Sequence, residues 1–298
     1  MRADSPVSEG ESRVDLRLER LDPIGVEVLG LDLREPVDDA TWLALRETVM
    51  REGVVVFREQ PMSAQAQIAL GRRFGELENT ALDRGEMDES KTLLANVGPD
   101  GEFYAEDDPN LQLVAINEGW HTDSSFRDVP ASFSLFAGVT VPEEGGDTFF
   151  ASLERGWEAL PAQTQAGLYG LHATHDYDRA YATRGVDLSD VFGGAAPSSR
   201  HPVVRRHPET GRPGLFVSEH VFEVDGLPDE DAASLVEELL RVCVDPARVY
   251  RHHWAAGDLL VWDNRSMLHR AQGFDPRHPR VMRHVRVAGS EAVLPAHA

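Results

Sequence analysis

Asn117-Glu118-Gly119-Trp120-His121-Thr122-Asp123-Ser124-Ser125-Phe126 holds a His-x-Asp pair, and the rest of the chain is read outward from it. On a strand-like segment residues i and i+2 project from one face, so His121 and Asp123 would reach a single metal ion together. A third ligand must then come from a distant segment. Two imidazoles and one carboxylate form the facial triad of non-haem Fe(II) sites, which leaves further coordination positions open. The pair alone is a weak signal, because a histidine near an aspartate is often a surface ion pair. The third ligand is open as well: among twelve histidines, His207, His220, His252 and His253 rival His269. What marks His269 is its setting. A Gly257-Asp258 turn and the apolar run Leu259-Leu260-Val261-Trp262 precede it, and an arginine-bearing strand follows about eleven residues later.

Upstream of the pair, Val14 to Leu18 and Val26 to Gly30 alternate like half-buried strands. Asp38 or Asp39 is placed to cap a helix whose Trp42, Leu45 and Val49 share one face, and Ser63 to cap a second through Ile68 and Phe74. Between them Gly53-Val54-Val55-Val56-Phe57 reads as a fully buried strand. Residues 75–112 are rich in charge, Gly and Pro, and read equally as a functional lid or a solvated insertion.

Downstream, short strands alternate with turns: Ser132 to Val139, a Pro142–Gly146 turn, then Asp147 to Phe150. Leu153 to about His172 reads as helix broken near Pro161, and 176–199 as a second lid. A hairpin is expected around Pro208-Glu209-Thr210-Gly211, an amphipathic helix over 229–242, and a closing strand from Val281 to Val287. Many short strands with few helices predict a mainly β fold, a double-sheet jelly roll (double-stranded β-helix, cupin-like) with helical decoration. Residues 1–13 are expected to form a disordered tail ahead of a single domain over 14–298.

Composition narrows the function. A net charge of -22 argues against nucleic acid or an anionic membrane as partner. A locally positive pocket is still possible, since Arg277, Arg280, Arg283 and Arg286 cluster near the C-terminus. Lys91 is the sole lysine, which removes a P-loop lysine and argues against Schiff-base chemistry. The sole cysteine, Cys243, excludes an internal disulfide and fits a reducing cytoplasm. No apolar run is long enough to span a bilayer, and the N-terminus has no apolar signal core.

Several of these motifs, in this order, resemble the taurine and 2,4-dichlorophenoxyacetate dioxygenase family of Fe(II)/2-oxoglutarate-dependent oxygenases. They are Trp120-His121-Thr122-Asp123-Ser124-Ser125-Phe126, Gly145-Gly146-Asp147-Thr148, Gly257 to Arg265, Leu268-His269-Arg270 and Arg280-Val281-Met282. The resemblance runs from about Leu16 to about Gly289, with the phenoxyacetate branch nearer than the taurine branch.

The resemblance implies that His121, Asp123 and His269 bind Fe(II), and that the enzyme consumes 2-oxoglutarate and O2. It implies that Arg280 pairs with the distal carboxylate of 2-oxoglutarate and Thr148 hydrogen-bonds it, as a guanidinium fork and a hydroxyl are suited to do. It further implies oxidation of an unactivated C–H bond in a small, anionic substrate, and assembly as a homodimer or tetramer. Four residues after the co-substrate arginine the family often places a second arginine for the substrate; here His284 stands there, a pH-dependent donor. Asn117, four residues before His121, reads equally as a polar contact to substrate or as a cap of the turn before the strand. Asp123 argues against halogenation, for which related enzymes give up this carboxylate. Two alternatives share the motifs: a biosynthetic tailoring oxygenase that desaturates or cyclises, and a metal-binding jelly-roll sensor without turnover.

Overall fold

Continuous apolar runs, Val54 to Phe57 and Leu259 to Trp262, build the centre of the main sheet of the computed structural model, which describes residues 14–78, 92–105, 108, 111, 117–183, 185 and 197–297. Seven strands lie in the order β1 (Arg17–Arg20), β2 (Val26–Leu29), β3 (Val54–Phe57), β13 (Leu259–Asp263), β5 (Phe133–Thr140), β15 (Val281–Val287) and β4 (Leu93–Ala95). All neighbours are antiparallel except β2 and β3. Successive side chains point to opposite faces, and the two faces meet different partners. Val55, Phe57, Phe133, Leu135, Leu259, Val261, Val285 and Val287 form one core with two helices, α1 (Asp39–Glu52) and α2 (Ala64–Phe74). Val54, Val56, Phe136, Leu260, Trp262 and Met282 face the other way.

That second face is covered by a smaller sheet, β12 (Val249–His252), β6 (Thr148–Ser152) and β14 (Met267–Ala271), which contributes Phe150, Tyr250 and Met267 to the core between the sheets. Two three-stranded sheets extend this side: β11 (Val221–Val224), β7 (His172–Asp176), β8 (Ser198–Pro202), and β10 (Pro213–Leu215), β9 (Val204–Arg206), β16 (Leu294–Pro295). The helices α3 (Leu153–Glu158), α4 (Ala162–Leu168), α5 (Tyr177–Ala182) and α6 (Asp229–Cys243) belong to this half. Leu153, Trp157, Val236, Leu239 and Cys243 are packed with Ala151, Leu215 and Leu268 in a third cluster. The fold is the expected jelly roll with helical decoration.

Local signals hold well. Asp38 caps α1 by accepting from the Thr41 amide, and Ser63 caps α2 by accepting from the Ala66 amide. The hairpin forms as β9 and β10, with Leu215 opposite Val204.

Three expectations shift. The first strand is Arg17–Arg20, its register set by pairing with β2 and not by its own weak alternation. The sheet is not closed by β15, because β4 from the charge-rich stretch pairs along its outer edge. The helical stretch after Leu153 ends sooner than expected, and β7 takes over at His172. The expected tail at 1–13 lies outside the described residues, as do parts of both lid segments, 79–91 and 186–196 chief among them. No helix among the described residues is long and apolar enough to cross a membrane.

Candidate metal centre

Strand β14 carries His269 and is hydrogen-bonded along one edge to β6. Its other edge is met by the segment that carries His121: the two histidines exchange main-chain hydrogen bonds of 3.0 and 2.8 Å, and the Ala271 amide donates to the Asn117 carbonyl at 2.7 Å. This isolated bridge brings their rings to 4.2 Å between centroids. The chain then leaves the sheet, for Asp123 opens a turn in which Ser124 takes φ 58°. The expected strand therefore shrinks to a single bridge, and the turn, not a pleat, carries the carboxylate to the imidazoles. Ligand atoms of His121, Asp123 and His269 all lie within 4.8 Å of one another, and all three residues are buried.

The protonation of the group suits a divalent cation. His121 Nδ1 lies 2.7 Å from the Gly119 carbonyl; a carbonyl only accepts, so Nδ1 carries the proton and Nε2 is left as a ligand atom. Burial lowers the pKa of His121, and burial together with His121 holds His269 well below the usual imidazole range. Both rings are thus in the neutral form that binds metal. Burial alone would raise Asp123, but the cationic surroundings that include Arg286 outweigh it and keep the carboxyl ionised.

A chain of hydrogen bonds fixes Asp123, and its direction is forced. The Trp262 indole N–H, which can only donate, meets Asn264 Oδ1 at 2.8 Å. That orients the amide so that Asn264 Nδ2 donates to Ser134 Oγ at 2.9 Å, and Ser134 donates in turn to Asp123 Oδ2 at 2.6 Å.

Beside the triad a cavity is lined by Asn117, Phe136, Thr148, Trp262, His269, Arg280 and His284, among others. Arg280 is only 3% exposed. Its amide donates to Asn96 Oδ1 at 2.8 Å and its Nη2 to the Gly146 carbonyl at 3.1 Å. Burial lowers its pKa to about 10, so it stays cationic at neutral pH. Gly146, at φ 70°, is needed there, since a Cβ would come within 2.9 Å of Arg280 Nε. Thr148 Oγ1 accepts from the Trp254 indole at 3.0 Å, which leaves the hydroxyl proton for an acceptor in the cavity. A buried cation and a hydroxyl donor on one wall make a carboxylate cradle. His284 packs edge-on to Phe136, with its Nε2 3.5 Å from Asp123 Oδ2.

The rival histidines have other partners. His207 Nε2 lies 3.1 Å from Asp263, His252 Nε2 3.2 Å from Asp258, and His253 Nδ1 3.0 Å from Asp147. His220 stacks on His121 at 5.6 Å between centroids but is not among the converging ligands. Ser134 had no sequence signal beyond lying in an apolar strand, and Asn264 none beyond its place in the Gly257 to Arg265 motif. Arg286 falls on the same face of β15 as His284 by strand alternation, but only the structure sets its Nη1 3.5 Å from Asp123 Oδ1.

Comparison with known proteins agrees with this geometry. The sequence pattern of the "Taurine catabolism dioxygenase TauD, TfdA family" matches residues 17–287. The chain is 34% identical over 277 residues to the (S)-phenoxypropionate/alpha-ketoglutarate-dioxygenase of Sphingobium herbicidovorans, covering 90% of this chain and 93% of that one. It is 36% identical over 266 residues to the alpha-ketoglutarate-dependent 2,4-dichlorophenoxyacetate dioxygenase of Cupriavidus pinatubonensis, covering 87% and 92%. The crystal structure of AAD-2 in complex with Mn(II) and N-oxalylglycine is similar at a TM-score of 0.85 and 29% identity, over 94% of this chain and 100% of that one.

Proposed function

The chain belongs to the taurine catabolism dioxygenase TauD, TfdA family, and from that membership we propose a role for each residue of its site. The protein is an Fe(II)- and 2-oxoglutarate-dependent dioxygenase. In our reading His121, Asp123 and His269 hold the iron. The observation that carries this is the convergence of three buried ligand atoms, two on neutral imidazoles and one on an ionised carboxylate. Arg280 grips the distal carboxylate of 2-oxoglutarate, and Thr148 donates its hydroxyl proton to the same group. Trp262 and Phe136 exclude water from the cavity between them and the iron ligands.

Iron, 2-oxoglutarate and O2 together supply the oxidising chemistry, giving succinate, CO2 and an oxidised substrate C–H bond. The chain's part is to hold that substrate and orient it. Asn117 and His284 are the proposed contacts, and a small anion is the proposed substrate, as the phenoxy acids named for the relatives support. Where hydroxylation falls on a carbon bearing an ether, amine or ester, the product collapses with bond cleavage. A single domain over 14–298, a cytoplasmic location and a homodimer or tetramer complete the proposal; light scattering of the purified protein tests the last.

The deciding experiment is anaerobic visible absorption with Fe(II), with and without 2-oxoglutarate. A charge-transfer band that requires both is expected in the wild type and lost in His269→Ala. Arg280→Lys should keep the band but require at least about tenfold more 2-oxoglutarate, because lysine cannot reproduce the two-pronged grip. A folded wild type with no band would refute the assignment.

A further inference from the structure

The inward face of β15 measures out the site. Arg280, just before the strand, and then Met282, His284 and Arg286 stand on it at intervals of about 6.6 Å. Arg280 borders the co-substrate cavity, while His284 and Arg286 each come to 3.5 Å from a different oxygen of Asp123. The two arginines are therefore roughly 20 Å apart along the backbone, too far to grip one end of one small molecule.

Arg286 is poorly satisfied. Its contact with Asp123, at 3.5 Å, is too long for a good hydrogen bond. Among the described residues its buried Nε has no hydrogen-bond partner. Glu78, also near, makes no hydrogen bond to it: Ser124 Oγ donates to Glu78 Oε1 at 2.5 Å and Arg127 lies 3.4 Å from that same oxygen, while Oε2 has no partner among the described residues. A bound cation would compete for the charge of Asp123, so loading the metal leaves the guanidinium less balanced still. An anion beside it would meet both the charge and the idle donors.

The surroundings suit the body of such an anion. Tyr177 and Tyr181 of α5 lie in the electrostatic reach of Arg286 and stand 4.3 Å apart by ring centroids. Tyr177 packs on Phe126 at 4.2 Å, and His220 links both tyrosines to His121. This is an aromatic wall running from an iron ligand to the α5 side of the site.

We propose that Arg286 is the specificity-determining cation of this enzyme, binding the carboxylate or sulfate of the primary substrate while Tyr177 and Tyr181 pack its apolar body. The proposal rests on the triad assignment above. It moves the permanent charge two residues along the strand from His284, which keeps its place in the wall beside Asp123.

The test uses the anaerobic enzyme loaded with Fe(II) and 2-oxoglutarate. Phenoxyacetate, hexyl sulfate and the uncharged phenoxyethanol are titrated against the charge-transfer band of wild type, Arg286→Gln and Arg286→Lys. At least one anion should shift the wild-type band. Its affinity should fall about 10- to 100-fold in Arg286→Gln, as for lost hydrogen bonds to a charged group, and recover in part in Arg286→Lys. The band without probe should persist in both variants, and the response to phenoxyethanol should fall far less than the response to the anion. Equal anion binding by Arg286→Gln overturns the proposal, as does a wild-type band that neither anion perturbs. A parallel loss for phenoxyethanol, or loss of the band itself in Arg286→Gln, overturns it too, because Arg286 would then be a support for packing or for Asp123. Absence of the band in the wild type before any probe fails the triad assignment first, and this proposal with it.

Discussion

Asp123 is fixed by one hydroxyl, because the Ser134 proton has no acceptor to choose but the carboxylate once Asn264 donates from the other side. Removing that hydroxyl has two separable effects. Ser134→Ala should weaken Fe(II) binding about 10- to 100-fold, the usual consequence of losing a partner that orients a ligand. It should also destabilise the fold by about 1–3 kcal/mol, since Asn264 Nδ2 loses its acceptor in a buried site. Competition with a chelator measures the first and thermal melting the second. Wild-type metal affinity in the variant would show that Asp123 does not depend on this chain of bonds. Sequence reading found the carboxylate but not its support, for a serine in an apolar strand carries no mark of what it faces.

Among the elements, α3 and α6 pack so closely that one residue must be glycine. A Cβ on Gly156 would fall 2.3 Å from Cys243 Sγ, inside contact distance with the end of α6. Gly156→Ala should therefore cost about 1–3 kcal/mol by overpacking, with much of it recovered in the double variant Gly156→Ala/Cys243→Ala, as melting temperatures would show. Burial pushes the Cys243 thiol up to about 12, so its conservative role here is as a small apolar group. The helix starts were legible because a cap is a local bond, as at Asp38 and Ser63. Strand β4 was not legible: three residues give no period, and what makes Leu93–Ala95 a strand is the free edge of β15.

For the molecule as a whole, Asp263 joins parts far apart in sequence. It sits fully buried at the end of β13, where Arg265 donates to both its oxygens at 2.8 and 2.7 Å and His207 Nε2 donates at 3.1 Å. Arg265 continues to Glu209 in the β9–β10 hairpin, and Glu209 to Arg46 on α1. Burial alone would raise the Asp263 carboxyl, but Arg265 and His207 hold it well below the usual range. A depressed carboxyl lends stability above its unfolded pKa of about 3.9 and loses it as the pH falls below that value. Asp263→Asn leaves Arg265 short of its partner, so it should cost about 3–5 kcal/mol at pH 7. Urea unfolding should show the gap between wild type and variant narrowing as the pH drops toward about 3, and a gap independent of pH would contradict the linkage.

By itself the sequence determined the period of the buried strands, the helix caps and the order of the motifs. The first two follow from backbone geometry and side-chain chemistry, which act over a few residues; the roles for iron and a dicarboxylate came from the resemblance that the motifs carry. Tertiary structure alone brings His269, of the several histidines, beside His121 and Asp123, because that meeting depends on the bridge between His121 and β14. It replaced the expected strand at Asp123 with a turn, set Ser134 and Asn264 behind the carboxylate, and brought Arg286 beside it. Each of these is a meeting of segments more than ten residues apart, fixed by sheet register and packing, and no local pattern of residues encodes it.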